Sequence, residues 1–278
     1  PVATIGAKLQ NGMFKVEKIK LRGVMSNGMI CSGRELAYND DHEGILILDT
    51  NENLGTPIED ILSFYEDIIF ELDLTPNRGD CLSHLGVARE LGIITRQDVL
   101  RRESELVEDG EKISNAVSVN IDVPEACPRY VARVITGIKV APSPQWLKER
   151  LASIGLSSIN NVVDASNYVL MDSGHPMHTF DMKMISGKMI NVRFAEKGEK
   201  LTTLDNVERE LDDFHMVICD SEKPVALAGI MGGLNSEITD TTTDILIESA
   251  YFNPTVVRKG AKSLDLSTEA SHRFERNT

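Results

Sequence analysis

The sequence predicts an α+β protein: a small β-rich part comes first, a linking α/β segment follows, and a larger mixed α+β part ends the chain. Two observations carry this prediction. Residues 1–48 contain short apolar runs separated by Asn-Gly and similar turns, and from Val117 onward such runs alternate with capped helical stretches. A chain of 278 residues is long enough for two domains.

The β-rich start has the spacing of a small barrel or sandwich. Its strand candidates are PVATIGAKL, MFKVEKIKLRG and GILILD. Thr56-Pro57-Ile58-Glu59 then predicts a helix start with a hydroxyl cap, and Ile61, Leu62 and Tyr65 form its apolar face. Because the chain opens at Pro1 within a strand-like run, we expect a fragment of a longer protein.

The linking segment is predicted to hold one strand and one helix. IIFELDL is the strand candidate, and Asp80 is placed to cap a helix over residues 81–91 that Gly92 ends. Residues 101–116 are charged and have no apolar period, which is typical of an exposed linker.

The last part alternates strands with helices. We expect strands at VSVNIDV, YVARVITGIKV, KMINVRF, HMVICD, VALAGIMGG and DILIES, and a hairpin KLTTL–DN–VEREL that turns at Asp205-Asn206. Ser143-Pro144 and Asn253-Pro254 each predict a helix start. The tail LSTEASHRFERNT, residues 266–278, stops abruptly, which again leads us to expect a fragment.

Composition and charge argue against several classes of protein, among them membrane proteins and proteins that bind nucleic acid over their whole surface. The net charge of −14 argues against nucleic-acid binding over the whole surface. Residues 1–22 are locally basic and either contact a nucleic-acid backbone or form a solvated edge strand. No apolar run approaches the roughly 20 residues of a membrane helix, and the start does not resemble a signal peptide, so a cytoplasmic location without membrane contact is expected. The four dispersed cysteines favour reduced, buried thiols.

Several polar groups cluster near one helix-to-loop joint. A helix is predicted over residues 160–171, with Gly174 placed to end it and Pro176 preventing its continuation. Binding groups often collect at such joints. The side chains gathered here are a hydroxyl, an amide and two imidazoles: Ser166, Asn167, His175 and His178.

Three further stretches are candidate sites, each with a structural alternative. Residues 228–233 either offer backbone N–H groups to a ligand or form a glycine-rich bend between strands. Glu248 either faces solvent, opposite Ile247, or points inward, where its burial requires a hydrogen-bond donor. The alternating charges of residues 268–276 are typical of a solvated face or an ion-pair network, and a Ser271–His272 dyad lacks a third, orienting group.

A metal site formed by His175, His178 and Asp181 is a weaker alternative, which would make the protein a metallohydrolase. Pro176 spoils the helical spacing that would aim the two imidazoles together, and zinc requires three or four convergent ligands. We therefore expect no metal in this chain.

Taken together, these motifs resemble those of one family, the β subunit of bacterial phenylalanine–tRNA ligase. The stretches that carry the resemblance are SNGMICSGREL, DHEGILIL, LTPNRGDCLSHLGVAREL, PRYVARVITGI, VVDASNYVL, HPMHTFD, AGIMGG and TEASHRFER. They are spread over essentially the whole chain. Their combination is specific, although no single motif is.

The resemblance implies three parts. Residues 1–66 resemble the later part of an oligonucleotide/oligosaccharide-binding (OB) barrel that binds tRNA, residues 67–112 a linking segment, and residues 113–278 an editing domain. Family members assemble from two α and two β chains, so an α subunit and tRNA(Phe) are the implied partners. ATP and Mg²⁺ would serve the α chain, which charges the tRNA, and no cofactor is expected in this fragment.

The resemblance also implies an editing site that removes tyrosine from misacylated tRNA(Phe). It implies catalytic roles for His178, Asn167 and Ser166, and substrate-binding roles for Glu248, Gly229, Thr268 and Ala270. Glu248 would accept the phenolic hydroxyl, while His178 accepts a proton from water or only orients that water. Ser166 replaces the usual threonine of the family, and His175 stands where glutamine is common.

A module that docks tRNA and assembles subunits without chemistry is the alternative function. The acidic balance allows it, and each structural alternative given above favours it. Convergence of His178, Asn167, Glu248 and Gly229 in one cleft of amino-acid size favours editing, and their scatter over the surface favours docking.

Overall fold

The structure, a computed structural model, describes residues 1–38, 41–42, 44–62, 67–100, 105–108 and 111–277. The chain divides into two compact units, Pro1–Ile68 and Ile69–Thr278. Each unit has a hydrophobic core of its own. No helix in the described ranges is both long enough and apolar enough to cross a membrane.

The first unit contains three two-stranded antiparallel sheets. Its strands are β1 (Val2–Thr4), β2 (Lys8–Leu9), β3 (Phe14–Lys15), β4 (Ile19–Leu21), β5 (Val24–Ser26) and β6 (Gly28–Ile30). β1 pairs with β6, β2 with β3, and β4 with β5. Ala3, Leu9, Val16 and Cys31 form the small buried core.

The short strands predicted at the start are present, but the described part of this unit contains no closed barrel. GILILD forms no strand. Ile45 and Ile47 are exposed, and the Leu46 N–H donates one backbone hydrogen bond, 2.9 Å long, to the Cys31 carbonyl. No other backbone hydrogen bond joins this run to a described residue, so no ladder forms among them.

One short helix ends the first unit. Helix α1 (Ile58–Ile61) follows Pro57, as predicted. The Thr56 hydroxyl does not cap it, because this hydroxyl donates to the Asn53 carbonyl at 2.8 Å. Tyr65, predicted on the apolar face of this helix, lies outside the described residues.

The predicted strand IIFELDL is wrong. Ile68, Ile69 and Phe70 are exposed, and the run adopts no regular structure. Apolar, β-prone residues form a strand only when a partner strand and a core accept them, and the described residues supply neither here.

The predicted linker ends in a one-turn helix, α3 (Ile113–Ala116), which follows α2 (His84–Thr95).

Helix α2 begins and ends later than predicted. Its cap is Ser83, whose hydroxyl accepts the Gly86 N–H at 3.0 Å. Asp80, the predicted cap, instead binds the Arg78 guanidinium at 2.9 Å, so its carboxylate is already neutralised before the helix starts. Gly92 lies within α2, where an internal glycine has only a modest cost, and the helix ends instead at Arg96, which has φ 56°.

The rest of the second unit alternates strands with helices. Its strands are β7 (Ser118–Ile121), β8 (Arg129–Ile135), β9 (Met177–Asp181), β10 (Met189–Phe194), β11 (Lys200–Thr202), β12 (Glu208–Glu210), β13 (Met216–Cys219), β14 (Pro224–Leu227), β15 (Met231–Gly232) and β16 (Ile245–Tyr251). Its helices are α4 (Gln145–Ser153), α5 (Asn161–Ser173), α6 (Pro254–Ser263) and α7 (Glu269–Phe274). The predicted strands, hairpin and helices of this part are thus present, but VALAGIMGG forms two strands, β14 and β15, and not one.

Two sheets share the core of the second unit. The five-stranded sheet has the order β15-β14-β13-β10-β7, in which only the β10–β7 pair is parallel. The three-stranded antiparallel sheet has the order β8-β16-β9, so β16 is its central strand. The main core joins residues of both sheets with residues of α6 and α7.

The tail of the chain forms ion pairs, which is one of its two predicted alternatives, but part of it is buried and is not a solvated face. Thr268 and Ser271 form a capping box that starts α7. Arg273 and Phe274 of this helix are buried. The Arg273 guanidinium donates to the Leu82 carbonyl at 3.2 Å and to the Glu269 carboxylate at 2.5 Å, so its charge is paired within the fold.

Candidate functional site

The register of the three-stranded sheet brings two predicted site residues together. In the antiparallel pair β16–β9, Glu248 lies directly opposite His178. Directly opposed Cβ atoms in such a pair are about 4.5–5.5 Å apart. Strand alternation places Leu246 and Phe180 on the same face, and both are fully buried. The carboxyl and the imidazole therefore share the inner face of the sheet.

Glu248 points inward, and this settles the choice left open by the sequence. The residue is 5 % exposed, and its Oε2 accepts a hydrogen bond of 3.2 Å from the Tyr130 hydroxyl. Burial raises the pKa of Glu248 to about 8, an effect that the bond from Tyr130 partly opposes. The carboxyl is therefore predominantly protonated at pH 7, whereas the sequence alone suggested a carboxylate.

The His178 imidazole is held as a neutral base. Its Nε2 is buried and has no hydrogen-bond partner within the described ranges. Desolvation lowers the pKa of His178 to about 4, so the ring is uncharged at neutral pH. The ring contacts Phe180 edge to face, with 4.5 Å between the centroids. An unprotonated imidazole with an unused nitrogen can accept a proton from a water molecule.

Gly232 lies against the same imidazole. A Cβ atom added at Gly232 would come within 2.4 Å of His178 Cε1, 2.6 Å of His178 Nε2 and 3.1 Å of Leu204 Cδ1. The absence of a side chain at this position in β15 thus makes room for the ring. Sequence reasoning singled out the glycine-rich run but not this residue, because the contact joins two strands that are far apart in sequence.

Helix α5 carries the predicted hydroxyl and amide groups. The Asn160 side chain accepts the N–H groups of Val162 and Val163 and starts the helix, and Gly174, with φ 86°, ends it as predicted. The helix packs against β9, the strand that carries His178. The Ser166 hydroxyl donates to the Val163 carbonyl at 2.7 Å, so its proton is engaged within the helix. Asn167, half-buried, forms no side-chain hydrogen bond with another described residue.

A buried carboxylate fixes the start of α5. Asp164 is fully buried and accepts three hydrogen bonds, from the Ser143 and Ser158 hydroxyls at 2.5 Å each and from the Ile159 N–H at 2.8 Å. Ser143 was predicted to open α4, but its hydroxyl serves Asp164 instead, and Pro144 precedes the helix without a side-chain cap. The bonds hold the helix that bears Ser166 and Asn167.

Gly229 is a packing position. Its φ of 70° lies in the left-handed region, and an added Cβ would come within 3.0–3.1 Å of Phe252, Val257 and Phe274. The glycine thus permits a tight turn of the chain against three buried side chains. The bend between strands, the structural alternative for this run, is what Gly229 forms.

Thr268 and Ala270 belong to the start of α7. The Thr268 hydroxyl accepts the Ser271 N–H at 3.0 Å and donates to the Ile230 carbonyl at 2.8 Å. It therefore caps the helix and ties it to the turn that contains Gly229. Ala270 is half-buried and packs against the main core.

The alternative metal site does not form. Asp181 lies three residues after His178 in β9 and so faces the opposite side of the sheet. Its carboxylate accepts the Thr242 hydroxyl at 2.6 Å and the Lys183 N–H at 2.9 Å. His175 instead lies against Phe274, with 6.1 Å between the ring centroids. The three potential ligands do not converge.

One group of potential ligand atoms exists within the described ranges, formed by Asp80, Cys81 and Glu90. The Arg78 guanidinium occupies it. This group lies 2.9 Å from the Asp80 carboxylate, 2.8 Å from that of Glu90 and 3.0 Å from the Cys81 sulfur. A cation of the protein itself thus takes the place that a metal ion would need.

The structure links some of the predicted residues by direct contacts and others only through the elements that carry them. His178, Glu248 and Gly232 meet at the inner face of the three-stranded sheet, and Tyr130 joins them through Glu248. Two surface clefts of about 460 and 550 Å³ lie elsewhere, and no predicted site residue lines them. A common cleft for all seven predicted residues stays a prediction.

Comparisons with known proteins place the second unit in a family. A family profile described as "B3/4 domain" matches residues 126–278. The protein named "Phenylalanine--tRNA ligase beta subunit" of Geobacter sulfurreducens is 51% identical over 275 residues, and its namesake of Protochlamydia amoebophila is 48% identical over 278 residues. Each alignment covers 99% of this chain and 34% of the relative, so the chain spans about a third of the length of these curated relatives.

Among solved structures, an N-terminal fragment of the phenylalanyl-tRNA synthetase β-subunit from Pyrococcus horikoshii is 18% identical and covers 70% of this chain and 59% of that one. Its TM-score of 0.39 is too low to relate the two folds. The profile match, in contrast, extends over more than half of the 278 residues. The chain therefore belongs to the B3/4 domain family.

Proposed function

We propose that this chain is part of the β subunit of a phenylalanine–tRNA ligase and that its second unit hydrolyses tyrosyl-tRNA(Phe). The observation that carries the proposal is the buried Glu248 carboxyl opposite the neutral His178 imidazole. The identity of about one half to relatives that bear the ligase name supports it.

Selection of the substrate falls to Glu248. A hydrophobic pocket rejects an added hydroxyl by only about 10²-fold, so a ligase that binds phenylalanine also accepts some tyrosine. An editing site makes the opposite choice, because the phenol of tyrosine satisfies the one oxygen of the buried carboxyl that phenylalanine leaves unpaired. Leaving such a group without a partner costs about 1–3 kcal/mol, which corresponds to about one to two decades of discrimination.

The reaction is hydrolysis of the ester between the tyrosine carboxyl and the terminal ribose of the tRNA. His178 accepts a proton from the attacking water, or orients that water, through its unpaired Nε2. Asn167 and Ser166 position the ammonium group or the water from α5. Within residues 229–233, the Ile230 and Gly233 N–H groups donate to the Leu227 and Val225 carbonyls, so another backbone N–H group of this run stabilises the developing oxyanion. The small side chains of Thr268 and Ala270 leave room for the aminoacyl end.

The remainder of the chain has a supporting role in this proposal. Residues 1–66 are the later part of an OB-like tRNA-binding domain, residues 67–112 connect it to the body, and residues 113–278 form the editing domain. The whole ligase is a cytoplasmic α2β2 assembly in which ATP and Mg²⁺ serve aminoacylation by the α chain. This fragment takes part in charging through tRNA(Phe) and its α partner and needs no metal for hydrolysis.

The test measures tyrosine release from tyrosyl-tRNA(Phe) by the full-length α2β2 enzyme. His178→Ala should lower the rate by about a hundredfold. Glu248→Ala should abolish the preference for tyrosyl- over phenylalanyl-tRNA(Phe). Glu237→Ala, which removes an exposed glutamate, is the matched control and should behave as the unmodified enzyme. Unchanged rates and preference in both site variants would show that the chain only docks tRNA and assembles subunits.

A further inference from the structure

We propose that Tyr130 is a specificity-determining positioning residue of this site: its hydroxyl holds one oxygen of the Glu248 carboxyl and leaves the other for one hydroxyl of the substrate. The inference rests on the proposed function and assigns a role to a residue that the sequence did not single out. It predicts that the preference of the site for tyrosine over phenylalanine depends on the phenol group of Tyr130.

The sheet register aims Tyr130 at Glu248. In the β16–β8 pair, Tyr130 lies opposite Ala250 and Glu248 lies opposite Ala132. Tyr130 is therefore the diagonal neighbour of Glu248 on the inner face. Such neighbours are about 7–8 Å apart, which is within reach of an aromatic side chain. Its hydroxyl reaches Oε2 at 3.2 Å across a sequence separation of 118 residues. This bond is the one side-chain hydrogen bond between Glu248 and the other residues that the structure describes.

The hydrogen bond from Tyr130 makes the two oxygens of the Glu248 carboxyl different. Oε2 accepts from Tyr130, while Oε1 forms no hydrogen bond with any other described residue. A carboxyl without this anchor can rotate about its last torsion angle, and a bound substrate would have to immobilise it. With the anchor in place, the free oxygen is already oriented before the substrate arrives. One phenolic hydroxyl then fits, and an unsubstituted ring leaves that oxygen unpaired.

The titratable groups that face the Glu248 carboxyl allow a specific test. They are Tyr130 on β8, His178 on β9 and Cys127, which precedes β8. Burial raises the pKa of Cys127 to about 12 and that of Tyr130 well above its usual value, and it lowers the pKa of His178 to about 4. Between pH 6 and 9, Glu248 is thus the member of this group that changes its charge, with a pKa of about 8.

Ionisation of Glu248 should sharpen selection. A carboxylate accepts a stronger hydrogen bond from a phenol than a neutral carboxyl does, and it costs more to leave unpaired beside phenylalanine. The ratio of tyrosine to phenylalanine release should therefore rise with pH, with a midpoint near 8. The Tyr130 hydrogen bond favours the carboxylate, so its removal should move this midpoint to higher pH.

The experiment compares kcat/KM for tyrosyl- and phenylalanyl-tRNA(Phe) from pH 6 to 9, using full-length α2β2 enzyme and subtracting spontaneous hydrolysis. The ratio cancels the titration of the substrate α-amino group, which both esters share. Tyr130→Phe should lower the ratio at pH 7.5 by about tenfold and raise the midpoint. The control is Tyr251→Phe, which removes an exposed hydroxyl bonded to Asn277 at 2.7 Å from the same sheet and should leave both values unchanged.

Two results would overturn the inference. One is a Tyr130→Phe enzyme with the original ratio and midpoint; the other is an equal loss of both rates without a shifted midpoint, which is the mark of a structural role alone. If Glu248→Ala still abolishes the preference, the proposed function stands in either case. If Tyr130→Phe fails to fold, 3-fluorotyrosine at position 130, a stronger donor of the same shape, should lower the midpoint, and an unchanged midpoint would overturn the inference.

Discussion

The Glu248 carboxyl and the His178 imidazole lie opposite each other on neighbouring strands, and both are uncharged at neutral pH. Burial is the common cause, since it raises the pKa of the acid to about 8 and lowers that of the base to about 4. An acid and a base side by side would otherwise form an ion pair. Here the base keeps a lone pair for water, and the acid keeps an oxygen for a substrate hydroxyl.

The raised pKa of Glu248 predicts how stability depends on pH. The unfolded chain releases the proton near 4.5 and the folded chain near 8, so between these values the folded state binds more protons and its stability falls as pH rises. Glu248→Gln lacks this proton. The melting temperature of the variant minus that of the unmodified protein should therefore increase from pH 5 to pH 8 and level off above it. A difference that is independent of pH would contradict the buried, protonated state.

The two glycines of the AGIMGG run should differ in what their substitution damages. Gly232→Ala places a methyl group against the His178 ring, so tyrosine release should fall by about a hundredfold while the fold is retained. Gly229→Ala forces a side chain into the left-handed region and against Phe252, so it should destabilise the fold by about 2 kcal/mol or more. Thermal unfolding and tyrosine release, measured on both variants, separate the effects. Normal release by Gly232→Ala would remove this glycine from the site.

The Asp164 carboxylate should be among the most sensitive positions of the second unit. Asp164→Ala leaves the Ser143 and Ser158 hydroxyls and the Ile159 N–H without their acceptor, which should cost at least about 3 kcal/mol in the free energy of unfolding. Asp172→Ala, an exposed position on the same helix, is the control and should change stability by less than about 0.5 kcal/mol. Urea titration of both variants measures the difference. Equal stabilities would show that the buried bonds contribute nothing.

Thr268 has a helix-capping bond that accounts for its hydroxyl without a substrate. Thr268→Val should destabilise the protein by about 1 kcal/mol, while Thr268→Ser, which keeps the hydroxyl, should stay close to the unmodified protein. If the residue also lines the aminoacyl pocket, as proposed, Thr268→Trp should block tyrosine release even at a temperature where the variant is folded. Release at the normal rate by the folded tryptophan variant would limit Thr268 to the cap.

Local signals predicted much of the second unit. Asn160 and Gly174 bound α5, Asn253 caps α6, and the hairpin turns at Asp205-Asn206, with Asn206 at φ 62°. Each of these signals acts over four residues or fewer, because a cap or turn satisfies the backbone groups next to it. The prediction failed at α2, where a neighbouring arginine engages Asp80, the predicted cap, and Ser83 caps the helix three residues later.

Runs with strand composition were the weakest predictions. IIFELDL and GILILD have the apolar, β-branched content of strands, yet neither forms one. DILIES has the same content and becomes part of β16, the central strand of its sheet. The difference lies in the partners, since β16 pairs on both sides and buries Leu246 and Ala250 in the main core.

The sequence by itself determined the α+β class, the caps of α5 and α6, and the set of motifs shared with the ligase β subunits, because all of these depend on residues close together in the chain. Only the tertiary structure decided that Glu248 faces inward, that Gly232 rather than Gly229 lies against His178, and that Tyr130 holds the carboxyl. Strand register sets these contacts, and register depends on how two sheets bury their inner faces together. The alternation of side chains along a strand predicts which residues share a face. Only the packing of the sheets determines which of the two faces meets the core.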